Sequence, residues 1–551
     1  MLPERRNDSD ARPRPGRTAL VFLAVLAALV AGCDRTVKGV EAHEPPRYGG
    51  TAVVAGPSDL SAMNPLVSSE AWADEVLRFA LFMPLIRYDA KLGYEPYLAQ
   101  SWEMTGDTGV VFHLRHDVRW QDGQPTTAYD VAFTYERAQD PATGFPNTEY
   151  FEYWHGVQVL DSFTVRFTFE PHAEPLAGLP FTPIAPKHLL DTIPPDRMRR
   201  AAFNLAPVGN GPFRYVSHRA NDRWVFEANP DFPEALGGRP YLDRFVWRVV
   251  PDNTAQLAEL QAGDVDVALS PPMDAVRSAA AAAHVRLVQH PSRRYAFVGW
   301  NGLRPPLNDP RVRRALTMAI DRQAMVDAFR NGLGQVAVGP VMPWHWAFDH
   351  DLPPLPFDPD SARALLAAAG YQDRDGDGVV ENAAGQPFRI ELKVVANNAT
   401  NMNIAEVIRA NLAAVGVQVT TRPVEATTLI SDVTSPDRNF DAFEFGWDGD
   451  FRLNLRNQFH SAEIGGPYQF ASYRNPVVDS ILDEANRITH RAQALPLWYR
   501  LQRILRDQQP WTFLYYQPQV FLVRDRLHDA SMDIRGALVN LPKWWVSDGQ
   551  E

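Results

Sequence analysis

The 551 residues contain one cysteine, Cys33. No intrachain disulfide can therefore brace the fold, and packing alone must hold it. No apolar run reaches the ~20 residues that a membrane-crossing helix needs. The candidate stretch, residues 19–31 (ALVFLAVLAALVA), is too short. There is no G-x-x-x-x-G-K-[ST] phosphate loop, so ATP hydrolysis falls to a partner. H-E-x-x-H and G-x-S-x-G are also missing, and the histidines are scattered. That removes the commonest metallopeptidase and hydrolase signatures and disfavours an enzyme. Heptads and internal repeats are absent, and low complexity is confined to the alanines at 279–283. Past residue 32 no Lys/Arg-rich stretch occurs. The chain carries −12, and residues 1–32 hold five Arg against Glu4, Asp8 and Asp10, which leaves −14 for the remainder. Such a balance disfavours a nucleic-acid partner, whose phosphates need neutralising.

What is present begins with a leader. Arg5, Arg6, Arg12, Arg14 and Arg17 precede the short apolar run, which closes on Val30-Ala31-Gly32-Cys33. A basic segment, a short apolar core and small residues make a signal peptide over 1–32. Its end resembles a lipobox, so Cys33 is the expected lipidation site and mature N-terminus. Several acyl chains at one end suffice for stable anchoring. Asp34 resembles the enterobacterial signal for retention in the inner membrane. Arg5-Arg6 lies too far from the apolar run to serve as a twin-arginine signal. Residues 33–46, polar and Pro-containing, read as a tether to a multi-domain body in the periplasmic space.

Beyond Tyr48 strand and helix patterns mix. Residues 51–55, 110–114, 164–169, 224–227, 245–250 and 389–395 alternate like strands. Asp309-Pro310 and Asp358-Pro359 each set an N-cap acceptor before a proline at the first helical position. Val312, Ala315, Leu316, Ala319 and Ile320 form the apolar stripe of the first helix. Ala362, Leu365, Leu366 and Ala369 form that of the second, with Gly370 as its stop. Thr127 to Asp130 opens another helix, and Asp122-Gly123 is a turn. Gly209-x-Gly211-Pro212 is a turn into a strand; it lacks the third glycine of a dinucleotide loop. His113 and His116, three apart in a strand pattern, face opposite sides and do not chelate together.

Asp373, Asp375, Asp377 and Gly378 resemble the front of a calcium loop, with Val379 at the carbonyl position and Glu381 at the ninth. Position twelve is Ala384 where a bidentate Glu belongs. The loop is therefore expected to do without calcium, and the chain to need no metal or cofactor.

Several of these blocks occur in one order. They are Phe112-His113-Leu114-Arg115, residues 120–125 (WQDGQP), 127–131 (TAYDV), 208–213 (VGNGPF), 308–321 (NDPRVRRALTMAID), 358–371 (DPDSARALLAAAGY), 373–378 and 440–450 (FDAFEFGWDGD). Together they resemble the family-5 extracellular solute-binding proteins of ABC importers, a family of oligopeptide-, dipeptide- and nickel-binding receptors. The resemblance implies an α/β, periplasmic binding protein-like fold of class II, the large three-lobed type. Two main lobes would hinge around a ligand cleft, with an extra lobe beside them. Lobe I would combine 47–86, 207–292 and 509–551; lobe II would span 87–206 and lobe III 293–508.

The resemblance also implies a site. In peptide-binding members the segment matching Gly446-Trp447-Asp448-Gly449-Asp450 pairs its backbone with the peptide and offers an aspartate to the amino terminus. Carried over, Trp447 and the backbone of Gly446, Trp447 and Asp448 lie against the ligand, and Asp450 anchors the amine. A desolvated ammonium needs such a carboxylate, and main-chain pairing tolerates varied side chains. Glu70-Ala71-Trp72 occupies the stretch that pairs with the other side of the ligand's first residues. The implied function is a monomeric, non-enzymatic receptor that delivers peptides to permease subunits served by separate ATPases. Two alternatives stand beside it. One is a receptor for a nickel–chelator, sugar or opine; the other is a sensor or chaperone without a transporter.

Overall fold

Alternation and caps translate directly into elements. The structure, a computed structural model, describes residues 45–547 other than Ala283, so Cys33 and its leader lie outside the described residues. Ile390, Leu392 and Val394 turn inward along the strand Arg389–Val395. It pairs in parallel with Gln418–Val424, and the helix Ala399–Ala413 makes the crossover between them. Asp309 caps the helix Pro310–Ala319 by accepting from the Arg311 amide, and Asp358 caps Pro359–Ala368 through the Ser361 amide. Val312, Ala315, Leu316, Ala319 and Ile320 are all buried, and Gly370 follows the second helix at φ +95°. In Ala128–Gln139, Asp130 reaches back to the Thr127 amide at 2.8 Å. His116 departs from expectation. The strand Gly109–Leu114 ends before it, and its ring packs on Phe163 at 4.0 Å between centroids.

One mixed sheet organises the whole. Its order is Gln418–Val424, Arg389–Val395, Ala442–Asp448, Val285–Trp300, Trp511–Arg524, Val267–Ala268, Thr51–Gly56, Arg244–Val249, Arg223–Ala228 and Phe213–Arg219, with Gln335–Val336 also on Trp511–Arg524. The two long central strands, Val285–Trp300 and Trp511–Arg524, run antiparallel through both halves of the sheet, with register shifts around residues 291–297. A separate antiparallel sheet joins Ala99–Met104, Gly109–Leu114, Thr164–Phe169 and Trp154–Asp161. One core runs from this small sheet into the Thr51–Gly56 half of the large one. The other half carries a core on each face. Ala296 and Val298 point into one, and Tyr295 and Phe297 into the other, as period two requires.

The Gly209/Gly211 turn clasps a neighbouring segment. Asn210 and Gly211 both donate to the Leu81 carbonyl, at 3.0 and 2.8 Å. A Cβ on Gly209 would stand 1.9 Å from that oxygen, so only glycine fits the approach.

Candidate functional site at the strand Ala442–Asp448

This strand pairs antiparallel with Val285–Trp300, with Gly446 opposite Ala296 and Asp448 opposite Arg294. Gly449 donates its N–H to the Arg293 carbonyl at 2.7 Å, and Asn301 donates to Asp441 at 2.9 Å. Those two bonds fix the alternation: odd-numbered residues turn their main-chain groups toward Val285–Trp300. The even-numbered Glu444, Gly446 and Asp448 turn theirs the other way. On that side Arg389–Val395 pairs only with Ala442 and Phe443. Past Phe443 the edge has no paired strand among the described residues. It presents an N–H and a C=O at Gly446 and again at Asp448, the unpaired row that an extended chain can join.

The side chains around this edge are held firmly. Arg294 donates to the Asp448 carboxylate at 2.8 Å, and its guanidinium lies over Gly446, where a Cβ would meet it at 2.5 Å. Trp447 projects from the opposite face. Tyr468 and Phe470 meet it edge to face at 5.6 and 6.0 Å, and Trp511 lies 6.1 Å away. Asp450 is half-buried just beyond the strand. Its Oδ1 accepts from the Tyr150 hydroxyl and the Phe451 amide, both at 2.6 Å. Burial, then the Asp450 charge, pushes the Tyr150 hydroxyl well above its ordinary range, so Tyr150 remains a donor. Among the described residues no hydrogen bond reaches Oδ2 of Asp450, both bonds to this carboxylate ending on Oδ1. Glu149 also sits nearby, its carboxyl raised by burial and by Asp450.

Glu70, Ala71 and Trp72 open the helix Ala71–Val76. Both Glu70 oxygens accept from helix amides: Oε1 from Trp72 at 3.1 Å and Oε2 from Ala73 at 2.6 Å. That carboxylate is committed to capping. Ala71 is exposed, and Trp72 leans on Trp247 at 5.8 Å.

Sequence reasoning missed the seam that closes over this site. Phe451, directly after Asp450, is buried in the core shared with the small sheet. It stacks on Tyr88 at 5.3 Å and meets Phe181 and Trp344, each at 5.1 Å. His345 holds the Phe451 carbonyl through Nε2 at 3.1 Å while Nδ1 accepts from Ala347, which fixes the tautomer. Burial pulls the His345 value down to about 4, so the ring is neutral. Beside it, Arg491 grips the buried Glu174 through Nε and Nη2, at 2.8 and 2.5 Å. Leu453 donates to the other Glu174 oxygen, and Ala173 donates to the Asn486 carbonyl at 2.9 Å. Apart from Trp344 and His345, these partners lie 270 to 363 positions apart, and only Phe451, an aromatic straight after Asp450, offered a local signal.

The acidic loop has its own arrangement. Asp373, Asp375, Asp377 and Glu381 bring one carboxylate oxygen each within 4.8 Å of one another. Glu381 is the buried member of the four, and the position of the missing bidentate carboxylate is Ala384. Loop amides donate to all four: Gly376 and Gly378 to Asp373, Asp377 to Asp375, Val379 to Asp377, and Arg374 to Glu381.

Comparisons with known proteins agree with this architecture. The profile of bacterial extracellular solute-binding proteins, family 5 Middle, matches residues 93–459. The oligopeptide-binding protein AppA of Bacillus subtilis (strain 168) is 29% identical over 544 residues, covering 96% of this chain and 99% of its own. The structure of Bacillus subtilis AppA in complex with a nonapeptide superposes with a TM-score of 0.73 at 28% identity, over 92% of this chain and 100% of that one. Heme-binding protein A of Haemophilus influenzae is 29% identical over 443 residues, 76% of this chain and 78% of its own.

Proposed function

The chain belongs to the bacterial extracellular solute-binding proteins of family 5, and from that premise we propose that it captures peptides in the cleft beside Ala442–Asp448 and delivers them to an ABC permease. The observation that carries this reading is the open edge at Gly446 and Asp448, next to a half-buried carboxylate at Asp450. An extended peptide adds itself to the edge, and its ammonium takes the free oxygen of Asp450. Trp447 backs the first residues, with Trp72 on the other wall.

Residues 47–86, 207–292 and 509–551 form lobe I in this reading, 87–206 lobe II and 293–508 lobe III. Lobe III closes on the other two around the bound chain. The function is capture and release, without covalent chemistry, and separate subunits hydrolyse ATP. Residues 1–32 are a signal peptide, and the lipidated Cys33 tethers the receptor to the outer face of the inner membrane. Mass spectrometry should find an acylated Cys33 at the mature N-terminus, and Cys33→Ala should accumulate unprocessed precursor; an unlipidated wild type would refute the anchor.

The amine anchor has a direct test. Asp450→Ala should weaken free-amine peptides by about 3 kcal/mol, roughly two decades in Kd. N-acetyl peptides should bind the wild type poorly and lose little more in the variant. Calorimetry over the four combinations separates the contact from general damage. Equal affinity for free and acetylated peptides would sink the assignment. The heme-binding relative supports a second reading, a non-peptide cargo. Native mass spectrometry of the co-purified ligand decides between the two.

A further inference from the structure

One face of the strand Ala442–Asp448 carries Glu444, Gly446 and Asp448 in a row, because alternate residues share a face. Their neighbours across the ladder are Val298, Ala296 and Arg294. Each step along the row is about 7 Å. Arg294 leaves the ladder opposite Asp448, holds that carboxylate at 2.8 Å, and lies along the row. Its Nη2, Cζ and Nε stand 2.5 to 2.8 Å from where a Cβ on Gly446 would be. A side chain there would bar the path, so the glycine keeps a lane open between the two carboxylates.

The two ends of the row differ. The side chain of Asp448 is 57% exposed and that of Arg294 44%. Glu444 is 2% exposed, and its Oε2 has no partner. Arg294 and then Arg330 are the charges that reach it, and neither bonds to Oε2. Arg330 is held elsewhere: its Nη2 donates to the Tyr515 hydroxyl at 3.3 Å, and its Cζ stands 5.3 Å over that ring. Its buried Nε has no partner, which makes Arg330 the rival for Glu444. Tyr515, whose charge would also reach Glu444, is raised by burial first and stays a neutral hydroxyl. Burial keeps Glu444 uncharged up to about 8. A carboxylate at that depth needs a cation. Arg294, half in solvent, has the room to move.

We propose that Glu444 is a positioning residue for cargo charge: uncharged, it leaves Arg294 on Asp448, and ionised, it draws Arg294 across Gly446 and frees the Asp448 carboxylate. In the first state the cargo edge carries a neutralised pair. In the second it carries an exposed anion beside the main-chain groups that an extended peptide would join. A cationic side chain on the cargo gains a partner only in the second state. Glu444 loses its proton as pH rises, so discrimination between charged and neutral side chains rises with it. The cargo in this inference rests on the peptide reading above, whereas the movement of Arg294 belongs to the chain alone.

Crystals of the ligand-free protein at pH 6.5 and 9.5 test the movement. Arg294 should lie on Asp448 at the lower pH and within hydrogen-bonding distance of Glu444 at the higher. In Glu444→Gln it should stay on Asp448 at both. Calorimetry tests the consequence, with free-amine peptides carrying arginine or citrulline at each of the first three positions. Citrulline matches arginine in shape without the charge, and the ratio within a pair cancels the titration of the peptide's own amine. At one position the wild-type preference for arginine should grow about tenfold between the two pH values, and in Glu444→Gln it should not change. The variant keeps Glu149 and Asp450, so an equal rise in both proteins would assign the effect to those groups and overturn the role of Glu444. A flat ratio in the wild type would overturn it too, as would Arg294 still on Asp448, or Arg330 in its place on Glu444, at pH 9.5. Should Glu444→Gln fail to fold, Glu444→Leu carries the same comparisons. If no peptide binds, the peptide reading falls, and the crystals alone decide the positioning role.

Discussion

Glu444 shows how far one residue can stand from its ordinary chemistry. It sits among phenylalanines in the strand Ala442–Asp448, is buried, and one of its carboxyl oxygens has no partner. Burial pushes its value up to about 8, against weaker pulls from Arg294 and Arg330. The folded state thus holds this proton more tightly than the unfolded chain, whose value is near 4.5. Its stabilisation is fully present below pH 4.5 and is lost as pH rises through about 8. Between those limits the group lowers stability by at most about 1.4 kcal/mol per pH unit. Denaturant melts at pH 6 and 8.5 should show the fall, and Glu444→Gln should flatten it; an unchanged slope in the variant would place the titration elsewhere. That Asp450 meets Tyr150 could not be read from the sequence, because 300 residues separate them and proximity is set by the fold. The cap that Glu70 makes to Ala73, three residues on, was a local spacing the sequence could have shown.

At the scale of elements, legibility followed periodicity. Residues 389–395 and 164–169 alternate cleanly and form strands over those spans. The Asp-Pro starts predicted two helices because an acceptor and a preset φ are local properties. The central strand Val285–Trp300 was hidden, since Pro291, Ser292, Arg293 and Arg294 interrupt its pattern where the register shifts. The open edge was hidden too. Whether a strand has a neighbour beyond its second residue depends on where a partner 50 positions away stops pairing. That edge makes its own prediction. If cargo joins Gly446 and Asp448 as an added strand, only alternate peptide amides face it. An N-methyl scan of a tight-binding peptide should therefore show a period of two. Methylation of amides facing the edge should weaken binding about tenfold or more, and methylation of the amide between them much less. Uniform sensitivity along the peptide would exclude strand addition.

At the scale of the whole molecule, one buried carboxylate depends on a half-buried partner 317 positions away. Glu174 and Arg491 lie on opposite sides of the seam, and the Glu174 side chain is 4% exposed. Burial raises the Glu174 carboxyl, and the guanidinium works against that rise. With both present the closed seam is satisfied: Arg491 also donates to the Leu92 carbonyl, and Leu453 to Glu174. With Arg491 removed, closure strands a carboxylate away from water, whereas opening rehydrates it. The penalty falls on the closed form alone, up to about 3 kcal/mol for a broken buried pair. If capture requires closure, the apparent Kd rises by the same factor as the closed fraction falls, roughly a hundredfold, although neither residue need touch cargo. Arg491→Met should therefore weaken binding strongly and increase the radius of gyration by small-angle scattering. Adding Glu174→Gln removes the stranded charge, so the double variant should recover most of the affinity. A double variant as weak as Arg491→Met would mean that Arg491 acts on the ligand directly, and a single variant with native affinity would mean that capture does not depend on this seam.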